Sequence, residues 1–382
     1  MPRPPLVSPS VSAMQGSVYS TLAHRLEQRG GEVYPFHVGD TWMEPAEGCR
    51  MEDLSVRDHP GMHRYAPVQG LPALIEAIVA RQRARTGLAV ERRDVLVTAG
   101  ATGALGAVAG AIVAPGDEVL VLAPYWPLIA GVVRSFHGVP VAVPYFDQPD
   151  PEAALAALAA GVTERTVALY LSTPNNPTGR VIPAASLERL VRWATDRGLW
   201  LLADEVYEDY QFAGEHAYTR PFAPERTFSA HSFSKAYGMA GNRCGYVVGP
   251  GEVMDHVRKV STHTFYSTPT ASQLAACRAL AGPGDAWAAA ARERYRALGA
   301  QAAARLGLPA PEGSTFLFFD VAAHLTEGGL PGFLEACVER GLLLAPGPSF
   351  GPYPTHVRLC YTAAPPEVTA RGVEALAPLL GR

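Results

Sequence analysis

Charge is scarce in this chain of 382 residues: Asp, Glu, Lys and Arg together make up 18%. Lysine plus arginine number 32 and aspartate plus glutamate 36, a formal net charge of −4. A balance so close to neutrality leaves no basic footprint for a nucleic acid. Long hydrophobic runs are missing too. No stretch of about 18 uncharged apolar residues occurs, so no membrane-spanning helix is expected. Cysteine is sparse, with five residues (Cys49, Cys244, Cys277, Cys337, Cys360) and no CxxC pair. That excludes the pattern of a zinc ribbon and disfavours a disulfide framework. No HExxH occurs among the histidines, so no metal site is expected. The apolar core of a signal peptide is also absent behind the opening Met-Pro-Arg-Pro-Pro, and a cytosolic location is expected. Proline (34) and glycine (37) are plentiful but spread as punctuation, without a linker, a low-complexity block or a fixed repeat. What is present is 48% hydrophobic residues, enough for a large core in more than one domain.

Short apolar runs alternate with helical stretches through the middle of the chain. Strands are expected at 94–98, 118–122, 140–144, 166–171, 199–203, 228–231 and 244–248. Helices are expected at 100–114, 128–136 and 184–197. Such alternation predicts an α/β fold with a mostly parallel sheet. The last third differs. A long helix over 285–306 precedes a strand at 315–319, a helix near 332–340, a strand at 357–361 and a helix over 366–380. This reads as a smaller α+β domain. A helix around Tyr19 to Gln28 is expected to join it. The division is 1–44 as an N-terminal part of the small domain, 45–280 as the large domain, and 281–382 as the C-terminal small domain.

Ligands of open α/β sheets sit beyond the carboxyl ends of the strands. Gly100-Ala-Thr-Gly-Ala104 lies there, either as a packing turn or as a phosphate cradle at a helix N-terminus, with Thr102 adding a hydroxyl. In Pro174-Asn-Asn-Pro-Thr-Gly179 the choice is between an ordinary tight turn and a loop presenting Asn176, with the Asn176–Pro177 bond a candidate cis bond. Asp204 ends an apolar strand, where a carboxylate must meet a cation or a donor, or else cap a helix. Were a helix to start there, Tyr207 would share its face. Lys235 follows another strand, with Ser232 three residues before it and Arg243 eight after. A hydroxyl and a guanidinium suit a phosphate, and a desolvated lysine beside one suits a Schiff base. Lysine, carboxylate, phenol, amide and phosphate donors together describe a pyridoxal 5′-phosphate site.

Tyr65 with Gly70, then GATGAL, PYW, NNPTG, ADEVY, SFSKAYGMAGNR and VRLCY follow in this order. In this the chain resembles the class I/II aminotransferases, the aspartate aminotransferase-like family of fold type I, from about Val38 to Tyr361. The resemblance implies a mostly parallel sheet in a large domain and a smaller α+β domain. It implies pyridoxal 5′-phosphate as cofactor, and a ping-pong reaction between an L-amino acid and a 2-oxo acid. By the same resemblance Lys235 forms the Schiff base and shuttles a proton, and Asp204 faces the pyridine nitrogen. Tyr207 and Asn176 bind the ring oxygen. Ser232, Arg243, Ala101 and Thr102 hold the phosphate, and Trp126 stacks on the ring, ahead of Tyr125. Arg358 clamps the substrate carboxylate beside the Gly39 backbone. Tyr65 reaches the neighbouring subunit's phosphate, which implies a homodimer.

Two features depart from the family pattern. Gly39-Asp-Thr-Trp-Met43 replaces the usual Gly-Glu-Pro-Asp-Phe. Thr41 and Trp42 are therefore candidates for the side-chain pocket, although Trp42 is equally a packing residue. No arginine for a dicarboxylate side chain is apparent. The alternative chemistry on the same site is a lyase, a cyclase or another enzyme cleaving a bond at Cα, because fold and cofactor do not fix the bond broken. A non-enzymatic sensor ranks lower, since Lys235 and Arg358 are both retained and no basic helix-turn-helix segment precedes the domain.

Overall fold

The computed structural model describes residues 6–14, 16, 26 and 30–382. Seven strands make the larger sheet: β1 (Val95–Thr98), β2 (Glu118–Leu122), β3 (Val139–Val143), β4 (Thr166–Ser172), β5 (Trp200–Asp204), β6 (Thr227–Ser232) and β7 (Gly245–Val248). Their order is β1-β7-β6-β5-β4-β2-β3. Every neighbouring pair from β6 through β3 is parallel, and β7 runs antiparallel to both β6 and β1. β1 therefore points the same way as β6. Each of these strands lies within a residue of its expected place.

The strands are apolar on both faces because both faces are covered. Side chains alternate between two layers with the period of two. Val119, Val121, Ala168, Tyr170 and Leu202 pack with the helix Gly100–Ile112. Leu120, Leu122, Leu169, Leu171, Leu201 and Ala203 pack on the other side with Leu187, Leu190 and Val191 of the helix Ala184–Thr195. Pro140 is tolerated because β3 is the edge strand.

The smaller sheet is antiparallel, in the order β8 (Phe316–Asp320), β10 (His356–Cys360), β9 (Ala345–Pro346). The helices Pro283–Leu306, Gly329–Glu339 and Pro366–Leu376 bury Tyr295, Leu306, Phe333 and Leu376 against it. The last helix is shorter than expected. Ala377–Leu380 winds on as a 3₁₀ turn, where Pro378 lacks the N–H an α-helix needs. Residues 34–36 lie against this unit, with Tyr34 N–H donating to the Gly341 carbonyl and Cys360 N–H to that of Phe36, each at 2.8 Å. Apart from Leu26 the helix expected around Tyr19 to Gln28 lies outside the described residues. No described helix is long and apolar enough to cross a membrane.

The topology gathers one edge of the large sheet. The carboxyl ends of β1, β2, β4, β5 and β6 meet the amino end of β7 there. Gly245 opens β7 hard against the start of the helix Gly100–Ile112. A Cβ on it would sit 2.6 Å from the His231 carbonyl oxygen and 2.9 Å from the Ala101 nitrogen. Only glycine allows that approach, and it brings Arg243 beside the helix N-terminus.

Candidate active site

A cavity of about 260 Å³ opens at this edge. Eleven of the twelve residues expected at the site line it: Gly39, Ala101, Thr102, Trp126, Asn176, Asp204, Tyr207, Ser232, Lys235, Arg243 and Arg358. Tyr65 does not. That residue is 85% exposed, and its ring packs edge-on against Tyr266, with centroids 5.0 Å apart.

Lys235 sits in the short helix Phe233–Ala236 directly after β6. The Tyr210 hydroxyl donates to its backbone carbonyl at 2.7 Å, tying the turn to the rest of the core. The ammonium donates to the Gly39 carbonyl. Burial pulls the Lys235 pKa below its ordinary value, only partly offset by Asp40. Loss of water disfavours the charged form, which makes a neutral amine accessible.

Asp204 closes β5 and is 5% exposed. No α-helix begins there. The chain turns through Glu205 and Val206 into a 3₁₀ turn at Glu208–Tyr210, so a turn rather than helical spacing brings Tyr207 to the cavity. The Tyr170 hydroxyl donates to Asp204 Oδ2 at 2.7 Å, and the Val206 N–H reaches Oδ1 at 3.4 Å. Burial outweighs these donors and pushes the Asp204 carboxyl up to about 6 from 3.8. Between those values the native chain binds more protons than the unfolded one. Stability therefore falls as pH rises through that window and stays lower above it. Asp204→Asn keeps an acceptor for Tyr170 and removes the charge. In protein stripped of ligand it is expected to add up to about 3 kcal/mol of stability above pH 6 and little near pH 4. Urea midpoints at the two pH values check this.

Arg358, on β10, is also 5% exposed. Its Nη1 donates to Asn176 Oδ1 at 3.0 Å and its Nη2 to the His37 carbonyl at 2.7 Å. Its guanidinium lies over the rings of Phe316 (4.3 Å) and Phe350 (4.8 Å). Two acceptors and two aromatic faces fix the plane of the fork before anything binds. Gly39 passes close by, and a Cβ there would lie 3.0 Å from the Phe316 ring. The Asn176–Pro177 bond is cis, as are Ala123–Pro124 and Thr173–Pro174.

The remaining donors gather at the start of a helix. The helix Gly100–Ile112 points its N-terminus at the cavity, with Ala101 and Thr102 in its first turn. The Ser232 hydroxyl accepts from Ser234 N–H at 3.0 Å. Arg243 is held at the rim by the carbonyls of Ala240 (2.9 Å) and Ala99 (3.4 Å). Trp126 is on the wall. Tyr125 is not, and its N–H instead binds the Phe350 carbonyl at 3.0 Å. Trp42 also stands off the wall, packed edge-on against Tyr295 at 5.0 Å, and so is a packing residue. Sequence reasoning missed Phe350, Leu105 and Tyr170. The first two carry no spacing signal. Tyr170 had one, since a phenol inside a doubly covered strand must find a partner.

Comparison with known proteins places this geometry. The family model for aminotransferase class I and II matches residues 32–376. An aspartate/prephenate aminotransferase of Thermus thermophilus is 37% identical over 333 residues, covering 84% of each chain. An arginine–pyruvate transaminase of Pseudomonas aeruginosa is 33% identical over 353 residues, covering 89% of this chain and 88% of its own. The solved structure of Thermus thermophilus aspartate aminotransferase with maleate superposes with a TM-score of 0.88 at 32% identity. It covers 98% of this chain and 100% of its own. With its motifs, sheet order and cavity in place, the chain belongs to the class I and II aminotransferases, as a pyridoxal 5′-phosphate-dependent enzyme of fold type I.

Proposed function

We propose that this cavity holds pyridoxal 5′-phosphate and moves an amino group from an L-amino acid to a 2-oxo acid in two half-reactions. The observation that carries the reading is that Lys235, Asp204 and Arg358, apart in sequence, meet on the wall of one cavity, the last two buried and Lys235 half-buried. The residues suit the group. The helix N-terminus at Ala101 and Thr102, the Ser232 hydroxyl and Arg243 are donors for a phosphate dianion, gathered on one part of the cavity wall. Asp204 suits a protonated ring nitrogen, Tyr207 and Asn176 a ring oxygen, and Trp126 the ring face. When bound, the cofactor supplies an aldehyde that takes up the amino group and a ring that draws electrons from the substrate Cα.

The chain's own groups do the rest. Lys235 Nζ, its proton affinity lowered by burial, is the amine for the aldehyde and the base that takes and returns the Cα proton. Arg358 takes the α-carboxylate bidentately and so sets the orientation of Cα. Burial holds the Tyr207 pKa well above its ordinary value, so its phenol remains a donor. Arg358→Lys keeps the charge and loses the fork. The expected result is a fall in kcat/KM on the order of 10²-fold for every amino acid tested, read from steady-state kinetics.

The exposed Tyr65 fits a role across a homodimer interface, where its hydroxyl would serve the neighbouring site. Residues 45–280 would carry the cofactor side, and 281–382 with 1–44 the carboxylate side. Incubated with a donor amino acid and no acceptor, the enzyme is expected to release a single equivalent of 2-oxo acid per chain and stop. Continued release with ammonia would contradict transamination.

A further inference from the structure

Tyr170 belongs to no motif, and its nearest approach to one is the hydroxyl it lends to Asp204. It lies in the middle of β4, fully buried, and β4 pairs with β5 so that Tyr170 stands opposite Leu202 and Ser172 opposite Asp204. Tyr170 and Leu202 face the same layer. Two residues on from Leu202, Asp204 is the diagonal neighbour of Tyr170, a span that a long aromatic side chain covers. The hydroxyl ends 2.7 Å from Oδ2. A phenylalanine would fill the same space without a phenol to satisfy. The polar atom has a cost in this core that only the bond to Asp204 offsets.

We infer that Tyr170 is a positioning residue for the ring-nitrogen contact: its hydroxyl fixes the rotation of the Asp204 carboxylate and holds its negative charge, leaving Oδ1 for the cofactor. This rests on the assignment of Asp204 to the ring nitrogen.

Other groups facing Asp204 do not replace it. The backbone N–H of Val206 is 3.4 Å away. Glu205, next on the chain, raises the Asp204 pKa, and His231 on β6 lowers it, both through space. His231 is itself held by Glu208 at 3.1 Å. Tyr170 is thus the short, neutral donor of the set. Burial and the adjacent carboxylate hold its own pKa far above the ordinary phenol value, so it donates throughout the working range. Without it Asp204 becomes more basic and takes a larger share of the proton it would hold in common with the ring nitrogen.

The experiment is ¹⁵N NMR of holoenzyme loaded with pyridoxal 5′-phosphate labelled at the ring nitrogen, for the wild type, Tyr170→Phe and Asp204→Ala. The Tyr170→Phe signal is expected to move from the pyridinium position toward neutral pyridine. The accompanying fall in kcat is about tenfold, with KM within about twofold. A wild-type signal and wild-type kcat in Tyr170→Phe, with a shifted signal in Asp204→Ala, would overturn the role of Tyr170 alone. An unshifted signal in Asp204→Ala would instead overturn the ring-nitrogen assignment, and this inference with it. Circular dichroism melting confirms that each variant is folded. Should Tyr170→Phe not fold, Tyr170→Leu, which also lacks the donor, takes its place in the same comparison.

Discussion

Lys235→Ala is expected to lower kcat by about 10⁴-fold or more, because one substitution removes both the amine for the aldehyde and the base at Cα. Binding should survive. The cradle of Ala101, Thr102, Ser232 and Arg243 is untouched, and so are Asp204, Tyr207 and Asn176. The variant should therefore still retain pyridoxal phosphate in dialysis but without the absorbance of a covalent imine. The backbone carbonyl that anchors the turn through Tyr210 stays in place, so the fold around position 235 should hold. Added methylamine offers a free base in place of the missing one and is expected to restore a measurable part of the rate. Turnover near wild type in this variant would remove the reason for placing the chemistry in this cavity.

Asp204→Ala is expected to cost kcat about 10³-fold while weakening cofactor binding far less. The physical ground is burial. At 5% exposure the carboxylate acts with little water to screen it, and a charge pair there is worth much more than at the surface. The phosphate donors dominate affinity, whereas the carboxylate matters most when negative charge builds on the ring. Parallel measurement of kcat and of the cofactor dissociation constant separates the two. A loss of affinity equal to the loss of rate would mean that Asp204 contributes only ground-state binding.

How much of this was legible in the sequence varies with the kind of contact. Strands covered on both faces announce themselves as continuous apolar runs, so 118–122 and 199–203 were readable almost to the residue. Lys235, Ser232 and Arg243 sit in one stretch of twelve residues, so local spacing was enough to bring them together. The polar ends of β1, β4, β5 and β6 could be grouped because a parallel sheet puts its carboxyl ends on one edge. Contacts set only by register escaped. Tyr170 meets Asp204 across 34 residues, and nothing short of the β4–β5 pairing predicts it. Phe316 and Phe350, which sandwich Arg358, come from a strand and a 3₁₀ turn whose relation no periodicity reveals. Trp42 stood open between the pocket and packing, and only the fold shows its ring turned to Tyr295 in the small core.

The chain has only two lysines, Lys235 and Lys259, and this makes the decisive measurement simple. Lys259 is exposed on the helix Gly251–Phe265, away from the cavity, while Lys235 lines it. Borohydride reduction of the holoenzyme followed by peptide mass mapping reads which amine carries the cofactor. The predicted result is a stoichiometric pyridoxyl label on Lys235 and none on Lys259. A label on Lys259, or an unmodified Lys235 in protein that turns over, would contradict the account.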